Sequence, residues 1–236
     1  MRSAPPASHA DLNLRSSLQL EEYVAIAERI ATDGPEDVLD WGCGHGQMSS
    51  LLRERGIVTT AFDYRPGEAD ESLHSLANYP EIEAYWSSDG VGLPYEDSLF
   101  DAVLSCGVLE HVEDPDSSLD ELRRVLRPGG TLYVYKLPNR ASWTEWVARR
   151  LRGRVYFHGM APYDRLYTVG GARELLERHG FTVMEARYAN CLPLLLPMAI
   201  SKHTAQRVWA ANRRLNDVPG LRRLANNVEL VARAGN

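Results

Sequence analysis

Two positions in the chain carry residues that could remove a proton from another molecule. Glu110 and His111 follow an apolar stretch, Asp101 to Cys106, that is predicted to be a buried strand. His158 lies in a later stretch, 153 to 168, that is rich in aromatic residues. A carboxylate or an imidazole is the usual general base for a hydroxyl group, so Glu110, His111 and His158 are the candidate catalytic residues. The alternatives are a structural histidine under a loop, a glutamate paired with a nearby arginine, and an exposed histidine with no role.

A glycine-rich turn joins a predicted strand, Asp37 to Trp41, to a predicted helix, Gln47 to Arg55. Its glycines are Gly42, Gly44 and Gly46. Glycine permits positive φ and lets a ligand approach the backbone, and the first amides of the helix attract anions. The spacing is neither that of dinucleotide binders nor that of a P-loop, so both classes are disfavoured. The next strand, Ile57 to Phe62, ends in Asp63, 23 residues after Asp40, where an acid reaches ribose hydroxyls.

The series of motifs resembles the class I methyltransferases that use S-adenosylmethionine. The matching segments are Val38–Gly46, Ser88–Pro94, Phe100–Val103, Val108–Val112 and Leu126–Gly130. The resemblance implies S-adenosyl-L-methionine as the cofactor and an α/β fold of the Rossmann-like, doubly wound type. Its sheet has seven mostly parallel strands, an antiparallel last strand and helical lid insertions. The cofactor-binding residues that it implies are Asp40, Gly42, Cys43, Gly44, Asp63, Tyr64, Asp89, Gly90 and Cys106.

The layout beyond residue 138 looks similar to O-methyltransferases of the ubiquinone pathway and to sugar or polyketide tailoring enzymes. In ubiquinone-type enzymes, an extra acid three residues before the Glu-His pair helps to hold a divalent metal. Gly107 occupies that position here, so we expect no metal. The residues expected to contact the acceptor are Lys136, Trp143, Trp146, Phe157, Tyr163 and Tyr167.

The segment from 189 to 226, between the last two predicted strands, is far longer than a hairpin requires. Its apolar residues would form an exposed patch unless something covered them. We expect them to roof the acceptor pocket together with Trp143, Trp146 and Phe157, while a helix from Thr204 to Leu215 turns its arginines outward. A dimer interface and a reversible membrane contact are the alternatives. The apolar residues are Leu192, Leu194, Leu195, Leu196, Met198 and Ile200, and the arginines are Arg207, Arg213 and Arg214.

At 236 residues, the chain fits one α/β domain with additions. We expect a disordered leader at 1–15 and a single methyltransferase domain at 16–236. Within that domain, 16–140 form the cofactor half, 141–226 the elements that cover the acceptor, and 227–232 the last strand.

The charge is unevenly distributed along the chain. Residues 1–139 contain 10 Lys/Arg and 25 Asp/Glu, a net charge of −15, whereas residues 140–236 contain 16 and 7, a net charge of +9. Solvated arginines on helix faces explain the basic half, and an anionic substrate or membrane surface is the alternative. No basic run is interleaved with exposed aromatics, which disfavours nucleic acid.

Three cysteines without metal-like spacing indicate reduced thiols and a cytoplasmic location. No signal peptide is indicated, and the longest apolar run is too short to span a membrane. Peripheral membrane contact remains open, as does the choice between a monomer and a homodimer.

The expected activity is methyl transfer from S-adenosylmethionine to a small molecule, at a hydroxyl oxygen of an apolar or amphipathic metabolite. One alternative acceptor is a nucleotide sugar or a lipid-linked anion. The other alternative is a non-catalytic subunit that binds the cofactor and steadies a partner.

Overall fold

The computed structural model describes residues 16–64, 81–152, 165–192 and 200–235. The strands are β1 (Asp37–Trp41), β2 (Val58–Tyr64), β3 (Ala84–Ser87), β4 (Phe100–Cys106), β5 (Leu126–Pro138), β6 (Phe181–Ala189) and β7 (Asn227–Ala234). The helices are α1 (Ser17–Asp33), α2 (Gln47–Arg53), α3 (Pro115–Val125), α4 (Trp143–Arg152), α5 (Val169–Arg178) and α6 (Lys202–Asn216), and a 3₁₀ turn spans Leu221–Leu224. The leader expected at 1–15 lies outside the described residues.

The seven strands form one sheet in the order β3-β2-β1-β4-β5-β7-β6. Only β7 runs antiparallel to its neighbours within this sheet. The predicted fold class is therefore confirmed, including the antiparallel last strand. Because β1, β2 and β4 are parallel neighbours, their carboxyl ends meet at one edge of the sheet, where open α/β sheets bind ligands.

Helices cover both faces of the sheet. Apolar residues of α1 and α2 pack on one face, and those of α3 and α5 pack on the other. Local signals set the helix ends: the side chain of Ser16 accepts the amide of Gln19 at the start of α1, and Gly34 ends that helix at φ +79°. Asp114 caps α3, whose first residue is Pro115.

The described part of the long segment between β6 and β7 packs on α1. Leu18 and Ala205 are buried against each other, and Trp209 packs beside them. The arginines of α6 are exposed, as expected. The apolar residues at 193–199 lie outside the described residues, so their role as a roof stays a prediction. Helix α6 therefore supports α1 in addition to any contact with an acceptor.

A buried chain of polar side chains joins three separate elements at this place. Asn190, just after β6, donates from Nδ2 to Oε1 of Glu22 on α1 at 2.5 Å, and Asn212 on α6 donates to Oδ1 of Asn190 at 3.1 Å. Oδ1 of Asn212 accepts the amide of Leu192 at 3.0 Å. Since buried polar groups are costly unless they are paired, these bonds fix α6 on α1 in one position.

Candidate functional site

The glycine loop, residues 42–46, leaves β1 under tight steric constraint. The amides of Gly42 and Cys43 both donate to the carbonyl of Phe62, at 2.8 and 2.9 Å. Gly42 has φ +76°, and a Cβ placed there would lie 2.4 Å from Cγ2 of Val108. Gly42 therefore lets the glycine loop rest directly against the loop that follows β4, residues 107–114, which we call the β4 loop.

Asp63 connects the end of β2 to the glycine loop. Its Oδ2 accepts the amide of Gly44 at 2.8 Å, and its Oδ1 accepts the amide of Tyr64 at 2.7 Å. Gly44 has φ +55°, and nothing lies within 4 Å of the position of a Cβ on that residue. A mostly buried carboxylate thus lies beside an open stretch of backbone.

Asp40 links β1 to α2, the two elements that the glycine loop joins. It is buried, and its Oδ2 accepts the hydroxyl of Ser49 at 2.6 Å. Burial raises the pKa of Asp40 to about 6, with the charge of Asp63 adding to the rise and the hydrogen bonds from Ser49 opposing it. Burial likewise raises the pKa of the Cys43 thiol, so this cysteine is a small packed residue rather than a nucleophile.

Asp89 lies in an exposed turn after β3. Its Oδ1 accepts the amides of Val91 and Gly92, at 2.9 and 3.0 Å, and these bonds lower the pKa of the carboxyl. The ring of Tyr64 lies 3.7 Å from where a Cβ on Gly90 would be. The crevice at the carboxyl ends of β1, β2 and β4 therefore has one side that contains Asp63, Tyr64 and the 89–90 turn.

The β4 loop carries the Glu-His pair. Glu110 is 1% exposed, whereas the side chain of His111 is 37% exposed, and Oε1 of Glu110 lies 3.6 Å from Nε2 of His111. A distant residue fixes the loop: the guanidinium of Arg165 donates to the carbonyl of Glu113 at 2.7 Å and to that of Val112. The amide of Arg165 donates to the carbonyl of Glu110 at 3.0 Å.

Known proteins resemble the chain in sequence and in fold. Residues 39–134 match the family model described as a methyltransferase domain. A "probable S-adenosylmethionine-dependent methyltransferase" of Mycolicibacterium smegmatis is 30% identical over 182 residues, which cover 70% of this chain and 67% of that protein. The chain belongs to the S-adenosylmethionine-dependent methyltransferases.

Two further similarities agree with this family. A ubiquinone biosynthesis O-methyltransferase of Xanthomonas campestris pv. campestris is 34% identical over 113 residues, which cover 48% of this chain and 47% of that protein. The chain thus spans about half the length of several curated methyltransferases that it matches. A crystal structure of an S-adenosylmethionine-dependent methyltransferase from Thermotoga maritima, 16% identical, superposes with a TM-score of 0.60 over 91% of this chain and 89% of that one.

S-adenosylmethionine is the cofactor of this methyltransferase family, and the crevice fits it. The backbone at Gly44 is open, and the Asp63 carboxylate beside it has further lone pairs with which to accept ribose hydroxyls. Cys106, another residue implied by the resemblance, lies at the end of β4, and burial raises the pKa of its thiol. It is therefore not a reactive group.

Lys136, expected to contact the acceptor, lies in a paired and buried environment. Its Nζ lies 3.4 Å from the hydroxyl of Tyr23, 4.7 Å from the centre of that ring and 3.7 Å from Oε2 of Glu22. Burial opposes its charge, but Tyr23 and Glu22 outweigh burial, and the pKa of Lys136 is raised. Its φ of +65° marks local backbone strain at the end of β5. Within the structure described, Lys136 holds α1 against the sheet.

The remaining expected acceptor contacts have different surroundings. Tyr167 is buried, and its hydroxyl donates to the carbonyl of Leu109 at 3.3 Å, so it supports the β4 loop. The indole of Trp143 donates to the carbonyl of Cys191 at 2.7 Å, and Trp146 is 62% exposed. The other three site residues named from the sequence, Phe157, His158 and Tyr163, lie outside the described residues.

The sequence interpretation missed Arg165 as the residue that fixes the β4 loop. Its partners are backbone carbonyls, which leave no complementary side chain to find in the sequence. Across the described ranges, no group of three or more His, Cys, Asp and Glu residues is arranged to hold a metal ion. No helix in the same part of the chain is long and apolar enough to cross a membrane.

Proposed function

We propose that the protein transfers the methyl group of S-adenosylmethionine to a hydroxyl oxygen of an apolar or amphipathic small molecule. The observation that carries the proposal is the pair formed by buried Glu110 and half-exposed His111, on a loop in contact with the glycine loop through Val108. A relative named as an O-methyltransferase supports oxygen as the acceptor atom.

The pair is suited to a hydroxyl because a hydroxyl needs a general base, whereas an amine or a thiolate needs little more than alignment. The imidazole of His111 takes the proton while the acceptor oxygen forms its bond to the methyl carbon. The carboxylate of Glu110, 3.6 Å away, stabilises the imidazolium that results. When bound, S-adenosylmethionine would supply the activated methyl group, and its sulfur would receive the electron pair of the breaking S–C bond.

The rest of the site positions these two groups. Arg165 holds the carbonyls of Val112 and Glu113, which leaves the loop little freedom to swing away from the crevice. Alignment of the two reacting atoms contributes roughly 7 to 11 kcal/mol in well-oriented systems, and this restraint on the loop helps to maintain it.

The test is a transfer assay with S-adenosylmethionine labelled in its methyl group. A panel of phenols, catechols and long-chain alcohols is offered, with matched amines and thiols as controls, and NMR of each product locates the methyl group. We expect products methylated at oxygen. Methylation only at nitrogen, sulfur or carbon would overturn the assignment of the acceptor atom. If the protein binds the cofactor but transfers no methyl group to the panel or to the components of a cell extract, the result would favour the non-catalytic subunit.

A further inference from the structure

A cleft of about 340 Å³ is lined by Pro115, Arg140 and residues between 165 and 178. Among the described residues, Arg140, Arg165 and Arg178 line it, and no acidic residue does. Positive side chains that line one space repel one another, and an anion bound in that space reduces the repulsion. We call this space the arginine cleft.

Arg140 is the cation most available to a ligand. Its guanidinium has no hydrogen-bond or ion-pair partner among the described residues, although its backbone is firmly held. Its amide donates to the carbonyl of Tyr167 at 2.7 Å, and the amide of Tyr167 donates to the carbonyl of Pro138 at 2.8 Å. The backbone of Arg140 is therefore fixed while its guanidinium can still bind an anion.

The other two arginines line the cleft while they also hold the protein together. The guanidinium of Arg165 donates to the carbonyls of Val112 and Glu113. Arg178 lies 3.0 Å from Oδ1 of Asp116, but the same oxygen lies 2.8 Å from Nε2 of His179. The single carboxylate is shared, so it neutralises Arg178 only in part.

The size and lining of the cleft narrow the chemistry of the ligand. A volume of about 340 Å³ exceeds that of a bare phosphate, given roughly 30 Å³ for each water molecule in the liquid. Pro115, Leu166 and Leu175 supply an apolar side. Guanidinium groups bind phosphoryl oxygens in bidentate geometry. We propose that the arginine cleft binds the phosphate or diphosphate group of a small molecule whose apolar body lies along these three residues.

This proposal is independent of the atom that the enzyme methylates. The phosphoryl group could belong to the methyl acceptor, because the amide of Arg165 is bonded to the carbonyl of Glu110, or it could belong to a separate ligand. Both sources share the same chemistry of recognition, and one set of measurements distinguishes them.

The experiment is a calorimetric titration of the whole protein with inorganic pyrophosphate. The protein is saturated with S-adenosylhomocysteine so that the glycine loop is blocked, and ionic strength is held constant with chloride. Because a charge-assisted contact is lost, Arg140→Gln should weaken binding about tenfold. Arg178→Gln should weaken it less, since Asp116 already shares that cation. Arg233→Gln, at an exposed arginine on β7, is the matched control and should bind normally.

Two results would overturn the proposal: no pyrophosphate binding beyond that of chloride, or parental affinity in Arg140→Gln. If binding is found, methyl transfer to a hydroxyl acceptor that also carries a phosphate ester identifies the source. A rise in KM with added pyrophosphate at constant kcat assigns the phosphoryl group to the acceptor, and unchanged kinetics assign it to a separate ligand. Failure of the proposed O-methylation would leave the titration result untouched.

Discussion

The glycine loop and the β4 loop follow neighbouring parallel strands and touch each other, yet they are built in different ways. The glycine loop is bonded to Phe62 and Asp63, but its backbone conformation depends on its own residues, with Gly42, Gly44 and Gly46 all at positive φ. The β4 loop takes its shape from a residue more than fifty positions away, because Arg165 holds the carbonyls of Val112 and Glu113. The loop that exposes its backbone to the cofactor is shaped by residues close to it in sequence. The loop that carries the proposed catalytic side chains is fixed by a residue far away in sequence.

The largest effect should come from the β4 loop. His111→Ala should lower kcat by roughly 10²- to 10⁴-fold, as expected for loss of a general base, with little change in the affinity for S-adenosylhomocysteine. Turnover with an acceptor from the panel and calorimetry measure the two quantities separately. His203→Ala, at an exposed histidine on α6, is the control and should be silent. A near-normal kcat in His111→Ala would leave alignment, Glu110 or His158 as the explanation.

The second largest effect should come from a variant that disturbs the contact between the two loops. In Gly42→Ala, the new methyl group would meet Val108 at 2.4 Å on a residue with φ +76°, so we expect a loss of roughly 2 to 4 kcal/mol in the free energy of unfolding. Denaturant unfolding measures it.

The double variant Gly42→Ala/Val108→Ala separates the two causes. It should recover the steric part of the loss and leave the backbone part. If the double variant is no more stable than the additive sum of the two single changes, the loops are not coupled through this contact.

The glycine loop alone is tested through its acid. Asp63→Ala should weaken binding of S-adenosylhomocysteine by roughly 1.5 to 3 kcal/mol, because hydrogen bonds to a charged acceptor are lost. The amide of Gly44 loses its partner at the same time. Asp217→Ala, at an exposed acid, serves as the control in the same titration. An unchanged dissociation constant in a folded Asp63→Ala variant would remove the assignment of Asp63 to the cofactor.

The smallest effect should be the pH dependence caused by Asp40. Since its pKa rises to about 6 in the folded protein, the native state holds the proton more tightly than the unfolded chain does. The stabilising contribution is complete below about pH 4 and is lost as the pH rises through 6. Asp40→Asn removes a buried charge, so at pH 7.5 the free energy of unfolding should rise by about 1 to 2 kcal/mol.

The difference between Asp40→Asn and the parent protein should shrink toward pH 4, which a series of denaturant unfolding curves will show. A constant difference across that range would contradict a raised pKa of Asp40. Cofactor affinity, measured alongside, should fall, because a negative charge beside the glycine loop is lost.

The features that could be predicted from the sequence are those that depend on residues close together in the chain. The bounds of β1, the order of the motifs and the position of Asp63 were predicted, because glycines, acids and apolar runs act through neighbours along the chain. Lys136 stays a predicted acceptor contact, and the sequence did not reveal that it is paired with Glu22 and Tyr23 of a helix more than a hundred residues earlier. No local pattern reveals such a contact. The packing of α6 on α1 was missed for the same reason.

The buried bonds that join Glu22, Asn190 and Asn212 also limit how this protein can be recombined with its relatives. A segment between β6 and β7 taken from another methyltransferase would bring its own partner for α1, and Glu22 would then face an unrelated surface. The first helix and the late insertion therefore behave as one exchangeable module, although 168 residues separate Glu22 from Asn190 along the chain. In a chimeric enzyme, the crossover points should lie before and after the parallel strands. The first helix and the late insertion should then come from the same parent protein.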